Sequence, residues 1–305
     1  MGGDLLLFPK MPCKGSSDAA IWVALEKIHG AQLVVDVDAT SVRFAKRKAW
    51  LRDDEPFFGW QLLRTGLRDS GRAAFERAGA ERLVLYGELY GGGYPHPGVK
   101  DHGLVPVQTG VWYSSDLRWA LFEARAIRGD ADEFLSWSET SALGIPMPPL
   151  LARGRKVEID ALSERFPSRV AESLGLPTLG EANLAEGLVA KPDVRMPAES
   201  YTSSKRKIVE MREDRFDESV PWDSSRPIAL EQLLEWAERL TNGPRVASAA
   251  SKVGRDEPRL LADEVVLDVL ADLEEAFPGA LAALDVDGWT ALEQTIRGRV
   301  PNPAA

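Results

Sequence analysis

Short apolar runs rich in β-branched and aromatic residues recur along the first two thirds of the chain. Two of them, I-W-V-A-L and Q-L-V-V-D-V, lie within residues 21–37, on either side of the polar segment 26–30. Others cover residues 82–89, 119–127 and 187–190. Runs of this length, bounded by polar or glycine-rich segments, are typical of strands. We therefore predict several strands, two of which meet at a tight connection formed by residues 26–30.

Helical and irregular segments are predicted between these strands. Residues 69–80 and 160–174 have the pattern of helices. The run G-G-G-Y-P at residues 91–95 directly follows the strand at 82–89 and predicts a chain-reversing loop. Pro146, Pro148 and Pro149 predict an ordered connector, since proline removes a backbone donor and restricts the residue before it.

From about Pro227 the apolar positions follow a helical period instead. Leucine and alanine recur at i, i+3 and i+4 within residues 230–240, and valine and leucine do so within 265–273. Gly-Pro at 243–244 and Pro-Gly at 278–279 interrupt these stretches. We predict a larger α/β domain at residues 1–226 and a small all-helical domain at 227–305.

The composition is that of a globular protein with a substantial core, with 305 residues of which 44% are hydrophobic. No window approaches the roughly 18 consecutive apolar residues of a membrane helix, and the run at 5–8 is too short for a secretory signal. The single cysteine, Cys13, excludes an intramolecular disulfide framework, and with three histidines it cannot build a cysteine-rich zinc site. We therefore expect a soluble, unexported protein of the cytoplasm with no membrane partner.

The formal net charge of −10 argues against a simple nucleic-acid coat protein, because phosphate binding depends on clustered Lys and Arg. The acidity is unevenly distributed, since residues 228–305 carry 14 acidic and 7 basic side chains. In the front part, basic residues are grouped at 43–48, 64–77, 153–156 and 205–207. Each group is typical of a solvated face, but together they are compatible with a groove for a polyanion.

The most informative string is Glu26-Lys27-Ile28-His29-Gly30, between two predicted strands. A lysine in such a setting lies at the surface or is held where its charged form is disfavoured, which makes the amine nucleophilic. The K-x-x-G pattern alone is weak, because Lys100 and Gly103 repeat it within a Gly- and Pro-rich segment. The pattern by itself therefore leaves both lysines as candidates.

A series of further motifs distinguishes the two lysines. After Lys27 come A-K-R at 45–47, F-F-G-W at 57–60, Y-G-E at 86–88, V-Q-T-G-V-W-Y at 107–113, L-F-E at 121–123, P-L-L-A-R-G at 149–154 and E-G-L-V-A-K-P at 186–192. In the tail, T-N-G-P-R-V follows at 241–246 and S-K-V-G at 251–254. This series resembles the covalent nucleotidyltransferase superfamily, and within it the phage-type RNA ligase 2 family. The resemblance covers most of the chain.

The resemblance implies a nucleotidyltransferase fold, ATP-grasp-like and of mixed α+β and α/β character, with mostly antiparallel sheets and a helical C-terminal domain. It implies an ATP-dependent RNA ligase that joins a 3′-hydroxyl to a 5′-phosphate through lysyl-AMP and an AMP-capped 5′-phosphate. The implied cofactors are ATP and Mg²⁺ or Mn²⁺. The implied partner is RNA, as a nicked or bridged duplex, and no obligate protein partner is evident.

The resemblance also assigns roles, with Lys27 as the catalytic nucleophile. A flat aromatic face at Phe122 would stack on adenine, Glu88 would bind ribose, and the planar fork of Arg47 suits bidentate phosphate recognition. The implied ATP or AMP contacts are Glu26, Ile28, His29, Gly30, Gln32, Arg47, Glu88, Phe122, Glu186, Lys191, Lys207 and Arg212, with Lys191 on phosphate. The implied RNA or phosphate contacts are Lys46, Arg47, Gln108, Arg153, Arg245 and Lys252, and the implied metal ligands are Glu186 and Glu123.

Two positions depart from the family pattern. Glu123 stands where the family usually has Asp, so the charge is kept on a side chain one methylene longer. In the last motif, alignment on F-D-E at 216–218 puts Glu210 and Arg212 where the family has two lysines. In a shifted register Lys205 and Lys207 fill these positions instead. We favour Arg212 in register, with Lys207 as a compensating cation.

Two other functions remain open at this stage. The same chemistry could serve another acceptor, in a DNA nick ligase or a capping-type enzyme. Such enzymes generally carry an OB-fold behind the catalytic domain, and the helical period after Pro227 counts against that. Alternatively, Glu210 and the net acidity would fit a catalytically degenerate RNA-binding or adenylate-sensing module.

Overall fold

The computed structural model describes residues 4–10, 17–211, 227–254 and 258–301. The strands in this part of the chain are β1 (Trp22–Glu26), β2 (Ala31–Asp38), β3 (Val42–Lys46), β4 (Arg82–Gly93), β5 (Ser114–Arg128), β6 (Ala131–Phe134), β7 (Leu150–Gly154), β8 (Gly187–Pro192), β9 (Met196–Pro197) and β10 (Ser204–Lys207). The α-helices are α1 (Gln61–Ala78), α2 (Trp137–Ala142), α3 (Lys156–Asp160), α4 (Val170–Ser173), α5 (Leu230–Leu240), α6 (Gly243–Val253), α7 (Pro258–Ala276) and α8 (Val286–Arg299).

The chain divides into two compact units. The first comprises Met1–Arg52, Gly66–Asp101 and Pro106–Pro221, and the second comprises Asp53–Thr65, His102–Val105 and Trp222–Ala305. The second unit therefore takes two segments from the front part of the chain in addition to the C-terminal helices. That residues 227–305 form an independent helical domain, with its border between residues 226 and 227, stays a prediction.

The first unit contains two antiparallel sheets, which makes it a mixed α/β structure, as predicted. The smaller sheet has the strand order β10-β8-β1-β7, with every residue of β1 buried. Glu26 pairs with Leu188 on one side of β1, and Lys207 pairs with Gly187 at the end of β10. This register brings the residues that follow β1, precede β8 and end β10 to one edge of the sheet.

The larger sheet has the order β3-β2-β4-β5-β6-β9, and all its strand pairs are antiparallel. Helix α1 approaches β2 closely at Gly71, where an added Cβ would lie 3.1 Å from Val35 and 3.2 Å from Val37. One apolar cluster of this sheet includes Val34, Val84 and Tyr86, against which the N-terminal residues Leu5, Leu6 and Phe8 pack. The strands predicted at 21–37, 82–89, 119–127 and 187–190 are confirmed.

The connection between β1 and β2 is tight, as predicted, because Gly30 leaves no room for a side chain. A Cβ at this position would lie 2.1 Å from the Leu89 carbonyl oxygen and 3.0 Å from Cγ of Glu88. Such contacts are far below van der Waals separation, so the backbone of the turn can approach β4 only with glycine here. The glycine of the K-x-x-G pattern therefore has a steric reason in this fold.

Two elements predicted from the sequence are wrong. The glycines at 91–93 belong to the end of β4 instead of a loop, and the strand is irregular there because Gly91 has φ +97° and faces the Asp116 carbonyl. Residues 160–174 do not form one helix. The structure has only two short helices there, α3 at Lys156–Asp160 and α4 at Val170–Ser173. Their apolar side chains face different clusters, since Leu162 and Phe166 pack against the cluster of Trp22 whereas Val170 belongs to the cluster of Ile28.

In the second unit, four helices occupy the described residues after Pro227, and the periodic stretches at 230–240 and 265–273 lie within α5 and α7. Their buried faces carry Leu233, Trp236, Val265, Val269 and Leu273. The Gly-Pro pair begins α6, because the Asn242 side chain caps its first turn by accepting from the Arg245 N–H at 3.1 Å. Among the described residues, no helix has the length and apolar character needed to cross a bilayer.

Candidate active site

A cavity of about 640 Å³ opens in the first unit, beside the turn that follows β1. Its lining combines residues from both sheets and from the N-terminal segment. It includes most of the residues to which the sequence assigns a nucleotide role, namely Glu26, Lys27, Ile28, His29, Gly30, Gln32, Arg47, Glu88, Phe122, Glu123, Glu186, Lys191 and Lys207. Lys100 is exposed and lies outside this lining, so the two K-x-x-G lysines occupy different surroundings.

At one end of the cavity, the Glu186 carboxylate lies between two ammonium groups. Lys27 Nζ is 2.7 Å from Oε2 of Glu186, and Lys207 Nζ is 2.8 Å from Oε1. Main-chain bonds fix this arrangement, because the Lys27 N–H donates to the Gly187 carbonyl and the Ile208 N–H donates to the Glu186 carbonyl. Burial raises the pKa of Glu186, but Lys27 and Lys207 outweigh burial and bring it below the ordinary value.

His29 completes this end of the cavity. Its Nδ1 lies 3.7 Å from the Glu186 carboxylate, and its backbone N–H donates to the Tyr113 hydroxyl at 2.8 Å. Burial lowers the pKa of His29 and outweighs the opposing effect of Glu186, while Lys27 and Lys207 lower it further. The lowered pKa of His29 favours the neutral imidazole, which suits a polar contact to substrate.

A second carboxylate–ammonium pair lies elsewhere in the lining. Both oxygens of Glu123 accept from Lys191 Nζ, at 2.8 and 2.7 Å, and the Tyr201 hydroxyl donates to Oε2 at 2.8 Å. The Lys191 and Glu123 side chains are only 2% and 1% exposed. Lys191 and Glu123 both line the cavity, and each is the ion-pair partner of the other. The contact of Lys191 with phosphate and the role of Glu123 as a metal ligand stay predictions.

An aromatic wall adjoins this pair. Phe122 lines the cavity, and its ring packs edge-on against Phe8 with 5.2 Å between centroids. Phe8 also contacts Tyr86, Phe134 and Tyr201. Sequence reasoning missed Phe8, Pro9, Lys10 and Tyr201 as lining residues, and no motif marks them. Ile28, in contrast, is 4% exposed and contributes its side chain mainly to an apolar cluster with Tyr113 and Val170.

Polar side chains from β2 and β4 form another part of the lining. Gln32 and Glu88 are register partners on these strands, and Arg47 follows β3. Burial raises the pKa of Glu88 to about 7, against the lowering effect of Lys27. The buried Nε2 of Gln32 has no hydrogen-bond partner among the described residues. A carboxyl group and an unsatisfied amide donor side by side suit a ligand that carries hydroxyl groups.

Several predicted RNA contacts lie outside the cavity lining, namely Lys46, Gln108, Arg153, Arg245 and Lys252. Arg153 pairs with Asp193 at 2.9 Å, and Lys252 pairs with Glu264 at 2.7 Å. The Arg245 side chain is 6% exposed, and its guanidinium is bonded to the Leu240 carbonyl and to Asp272, so a contact of Arg245 with RNA stays a prediction. Arg212 lies outside the described residues.

Lys205 and Lys207 lie two residues apart on β10, so both side chains lie on one face of the strand, and both line the cavity. The alignment of the last motif, with Arg212 in register and Lys207 as a compensating cation, stays a prediction. Lys205 pairs in register with Val189 and Lys207 with Gly187. Glu210 follows β10 within a short turn.

Among the described residues, no group of three or more His, Cys, Asp or Glu side chains could hold a metal ion. Mg²⁺ commonly keeps several waters and binds through one or two carboxylates together with the phosphates of its substrate. The donor set therefore fits a metal carried largely by a nucleotide, with Glu186 as the nearby carboxylate, and does not fit an all-protein metal cage.

Comparison with known proteins identifies the family. The sequence model of the RNA ligase family matches residues 20–209, which include all strands of the smaller sheet and the whole Lys27–Glu186–Lys207 group. The chain belongs to the RNA ligase family.

Its relatives in this family include two mitochondrial RNA-editing ligases of Trypanosoma brucei brucei. RNA-editing ligase 1 is 31% identical over 215 residues, which cover 58% of this chain and 46% of that protein. RNA-editing ligase 2 is 30% identical over 202 residues, which cover 56% of this chain and 48% of that protein. The chain thus matches about half the length of these relatives.

Solved structures similar to this RNA ligase family member include a variant of the Naegleria gruberi RNA ligase with ATP and Mn. It is 18% identical, with a TM-score of 0.40, and the match covers 62% of this chain and 50% of that one. The Naegleria gruberi RNA ligase with pyrophosphate is also 18% identical with a TM-score of 0.40, covering 65% and 53%.

The buried Glu26 carboxyl predicts a pH dependence of stability. Burial raises its pKa from 4.5 to about 7, against the lowering effects of Ser168 and Arg169. The folded state therefore keeps a proton that the unfolded state releases, so this contribution is present below pH 4.5 and is lost as pH rises through about 7. Urea unfolding at about pH 5 and about pH 8 should show that wild type loses up to roughly 3 kcal/mol more than Glu26→Gln does. Parallel pH profiles for the two proteins would contradict this assignment.

Proposed function

We propose that this chain is an ATP-dependent RNA ligase with an ATP-grasp-like nucleotidyltransferase domain, and that Lys27 carries AMP during the reaction. The observation that carries the proposal is the Lys27–Glu186–Lys207 group at one end of a cavity of about 640 Å³ with an aromatic wall. Family membership supports the reaction class. Because the chain matches about half the length of its trypanosome relatives, the activity is proposed for the chain itself and is not transferred from them.

The distribution of charge in the cavity supports one orientation of ATP. Lys27 and Lys207 contact Glu186, and Lys205 and Arg47 also line the cavity, whereas Glu123 and Lys191 neutralise each other beside Phe122. Triphosphate is attracted to the cationic part, and a flat base is best accommodated on an aromatic face. Adenine on Phe122, ribose at Glu88 and Gln32, and phosphates toward Lys27 and Lys207 satisfy these preferences together.

In the first step, Lys27 Nζ attacks the α-phosphorus of ATP. A nitrogen–phosphorus bond forms, the bond to the β-phosphate oxygen breaks, pyrophosphate leaves, and the attacking nitrogen releases a proton to solvent. Before the attack, Lys27 must leave its ion pair with Glu186 and give up one ammonium proton to solvent, because an ammonium group has no lone pair. Glu186 then still holds Lys207. Lys207 then offers a fixed cation for the charge that develops on the phosphate oxygens. A divalent metal bound with ATP would neutralise phosphate charge in the same region, near Glu186.

The next two steps transfer AMP to RNA and join the ends. An oxygen of the RNA 5′-phosphate attacks the phosphorus of lysyl-AMP, the nitrogen–phosphorus bond breaks, and Lys27 recovers a proton. A 3′-hydroxyl oxygen then attacks the capped 5′-phosphate, loses its proton and displaces AMP. We propose recognition of a nicked or bridged duplex mainly through phosphates and ribose 2′-hydroxyls.

The remaining predictions on partners are part of the proposal. Residues 227–305 would form a helical domain that helps engage the RNA ends, with Lys252 as its exposed cation, although that lysine is paired with Glu264 and Asp268. Location in the cytoplasm stays a prediction from the sequence, and the trypanosome relatives are described as mitochondrial.

The first prediction of the proposed function concerns the covalent adduct. Incubation with ATP labelled at the α-phosphate and with Mg²⁺ should label wild type covalently, and Lys27→Met should abolish the label because the nucleophile is removed. Lys100→Ala is the matched control, since it alters the second K-x-x-G lysine outside the cavity, and it should label as wild type does. Unlabelled wild type with both Mg²⁺ and Mn²⁺ would favour a degenerate binding module instead.

The second prediction separates the two lysines of β10. Lys207 contacts Glu186 directly, whereas Lys205 lies two residues earlier on the same face. Lys207→Ala should therefore slow formation of the adduct by about 10- to 100-fold, and Lys205→Ala by less than about 5-fold. Single-turnover labelling rates measure both effects. Equal effects, or no effect of either substitution, would reject this ranking.

The third prediction identifies the acceptor. A nick with ribonucleotides on its 3′-hydroxyl side should be sealed faster than an otherwise identical all-deoxy nick, because the 2′-hydroxyl is the feature that distinguishes RNA at such a site. Gel analysis of end-labelled nicked duplexes gives both rates with the same protein preparation. Equal or faster sealing of the all-deoxy nick would indicate a DNA ligase, and transfer of the nucleotide to a 5′-diphosphate end would indicate a capping-type enzyme.

A further inference from the structure

The turn that carries Lys27 is held at its first residue by the Glu26 side chain. Ser168 Oγ donates to Oε1 of Glu26 at 2.6 Å, and the Arg169 N–H donates to Oε2 at 2.8 Å. Glu26 is 1% exposed, so these bonds form away from bulk water. The segment 168–169 therefore fixes the start of the turn through a carboxyl group whose two oxygens both accept hydrogen bonds.

The same turn is held at its other end by a different segment. The His29 N–H donates to the hydroxyl of Tyr113, which is 2% exposed. The Asn183 side chain forms hydrogen bonds with both the N–H and the carbonyl of Trp112, the residue before Tyr113. The Trp112 N–H donates to Asn183 Oδ1 at 2.7 Å, and Asn183 Nδ2 donates to the Trp112 carbonyl at 2.6 Å.

Asn183 joins the two segments to each other. Its own carbonyl accepts from the Ser168 N–H at 2.9 Å, within a short antiparallel bridge that includes the Ala185 N–H and the Phe166 carbonyl. Hydrogen bonds and short chain links thus form a closed ring through Glu26, Ser168, Asn183, Trp112, Tyr113 and His29. This set is called the turn ring below.

The turn ring is packed with apolar side chains from the segments that form it. Ile28, Val111, Tyr113 and Val170 belong to one buried cluster, and Leu184 packs against it. The ring is therefore a packed unit. The chain leaves it at residue 185 and reaches Glu186 next, so the segment that closes the ring also delivers the carboxylate that Lys27 contacts.

We propose that Asn183 is a positioning residue for Lys27, a role that rests on the proposed function of Lys27 as nucleophile. Asn183 lies outside the cavity lining and is 3% exposed, so it acts through the turn ring and not on substrate. Its amide offers one acceptor and one donor to the two backbone groups of Trp112. Aspartate would place an acceptor against the Trp112 carbonyl, and an aliphatic side chain would leave both groups unsatisfied.

Loss of this clamp should loosen the turn while the aromatic wall and the Glu123–Lys191 pair stay in place. For Asn183→Ala we expect the rate of adduct formation at saturating ATP to fall by about 10- to 100-fold, since small misplacement of a nucleophile has effects of this order. The KM for ATP should change by less than about 3-fold, because most of the nucleotide lining is untouched. Single-turnover labelling over a range of ATP concentrations separates the two constants.

Thr140→Val is the matched control. Thr140 is also fully buried, and its hydroxyl donates to the Ser136 carbonyl at 2.8 Å in α2, outside the turn ring. The rate of Thr140→Val should stay within about 2-fold of wild type even where its thermal stability falls.

Ser168→Ala removes one bond of the ring and serves as the milder variant if Asn183→Ala folds poorly. Its expected rate loss is about 3- to 10-fold.

Coupling to Glu26 tests whether Asn183 acts through the ring. Glu26→Leu should lower the rate as Asn183→Ala does, and the double variant should lose clearly less than the product of the two single losses. Full multiplicativity of the two single losses would overturn the proposal, as would equal rates for Asn183→Ala and Thr140→Val.

Hydrogen exchange gives a readout that does not depend on activity. In Asn183→Ala, amides of residues 26–30 should exchange faster than in wild type, while those of β4 and β5 keep their protection. Thr140→Val should leave residues 26–30 unchanged. Unaltered exchange in the turn would overturn the positioning role. Absence of any adduct in wild type, with the exchange result as expected, would count against the proposed function and not against the ring.

Discussion

The arrangement of the site depends on one carboxylate that faces two ammonium groups. Glu186 is almost completely buried, and a buried carboxylate without compensating partners would be strongly disfavoured. Lys27 and Lys207 provide that compensation, and their effect outweighs burial in the pKa of Glu186. The group also links three strands, because each of these residues adjoins or ends a different strand of the smaller sheet. Removing any one of these three charges would change how far the other two charges compensate each other.

Antiparallel pairing explains how residues so far apart in sequence meet. β1 lies between β7 and β8, and β10 pairs with the other side of β8, so the turn after β1 and the start of β8 share one edge with the end of β10. The larger sheet contributes the polar pair Gln32 and Glu88 through β2 and β4, and Phe122 of the aromatic wall through β5. A shift of the strand pairing by one residue would move a side chain to the opposite face of the sheet. The register therefore fixes which side chains face the cavity.

Much of the first unit follows from local pattern. The strands around residues 26–30 are predictable because apolar runs flank a short polar segment, and Gly30 is required by the close approach of Leu89. The lysine that faces the cavity is identifiable from the order of the motifs, although the K-x-x-G pattern occurs twice. Residues 160–174 are a different case, since their apolar side chains serve two separate clusters, which no local periodicity can reveal.

The fate of individual charges is harder to predict from sequence, because it depends on partners supplied by distant segments. The resemblance assigns Arg245 and Lys191 to phosphate or RNA, and in the structure Asp272 and Glu123 are their buried ion-pair partners. Phe8 carries no motif and becomes part of the pocket through contacts with four aromatic rings. A motif fixes the residue type, and the tertiary partner determines whether its charge remains available.

An acidic chain can still present cationic side chains in its cavity. The formal charge of −10 is a property of the whole molecule, and much of the excess lies in residues 228–305. Screening limits exposed charges to a range of about 8–10 Å at physiological salt, so distant acids affect the cavity weakly. Within the cavity, Glu123 is paired with Lys191 beside Phe122, whereas Lys27 and Lys207 contact Glu186, and Lys205 and Arg47 also line the cavity. In the proposed function, this local distribution of charge, and not the net charge, orients ATP with its phosphates toward Lys27.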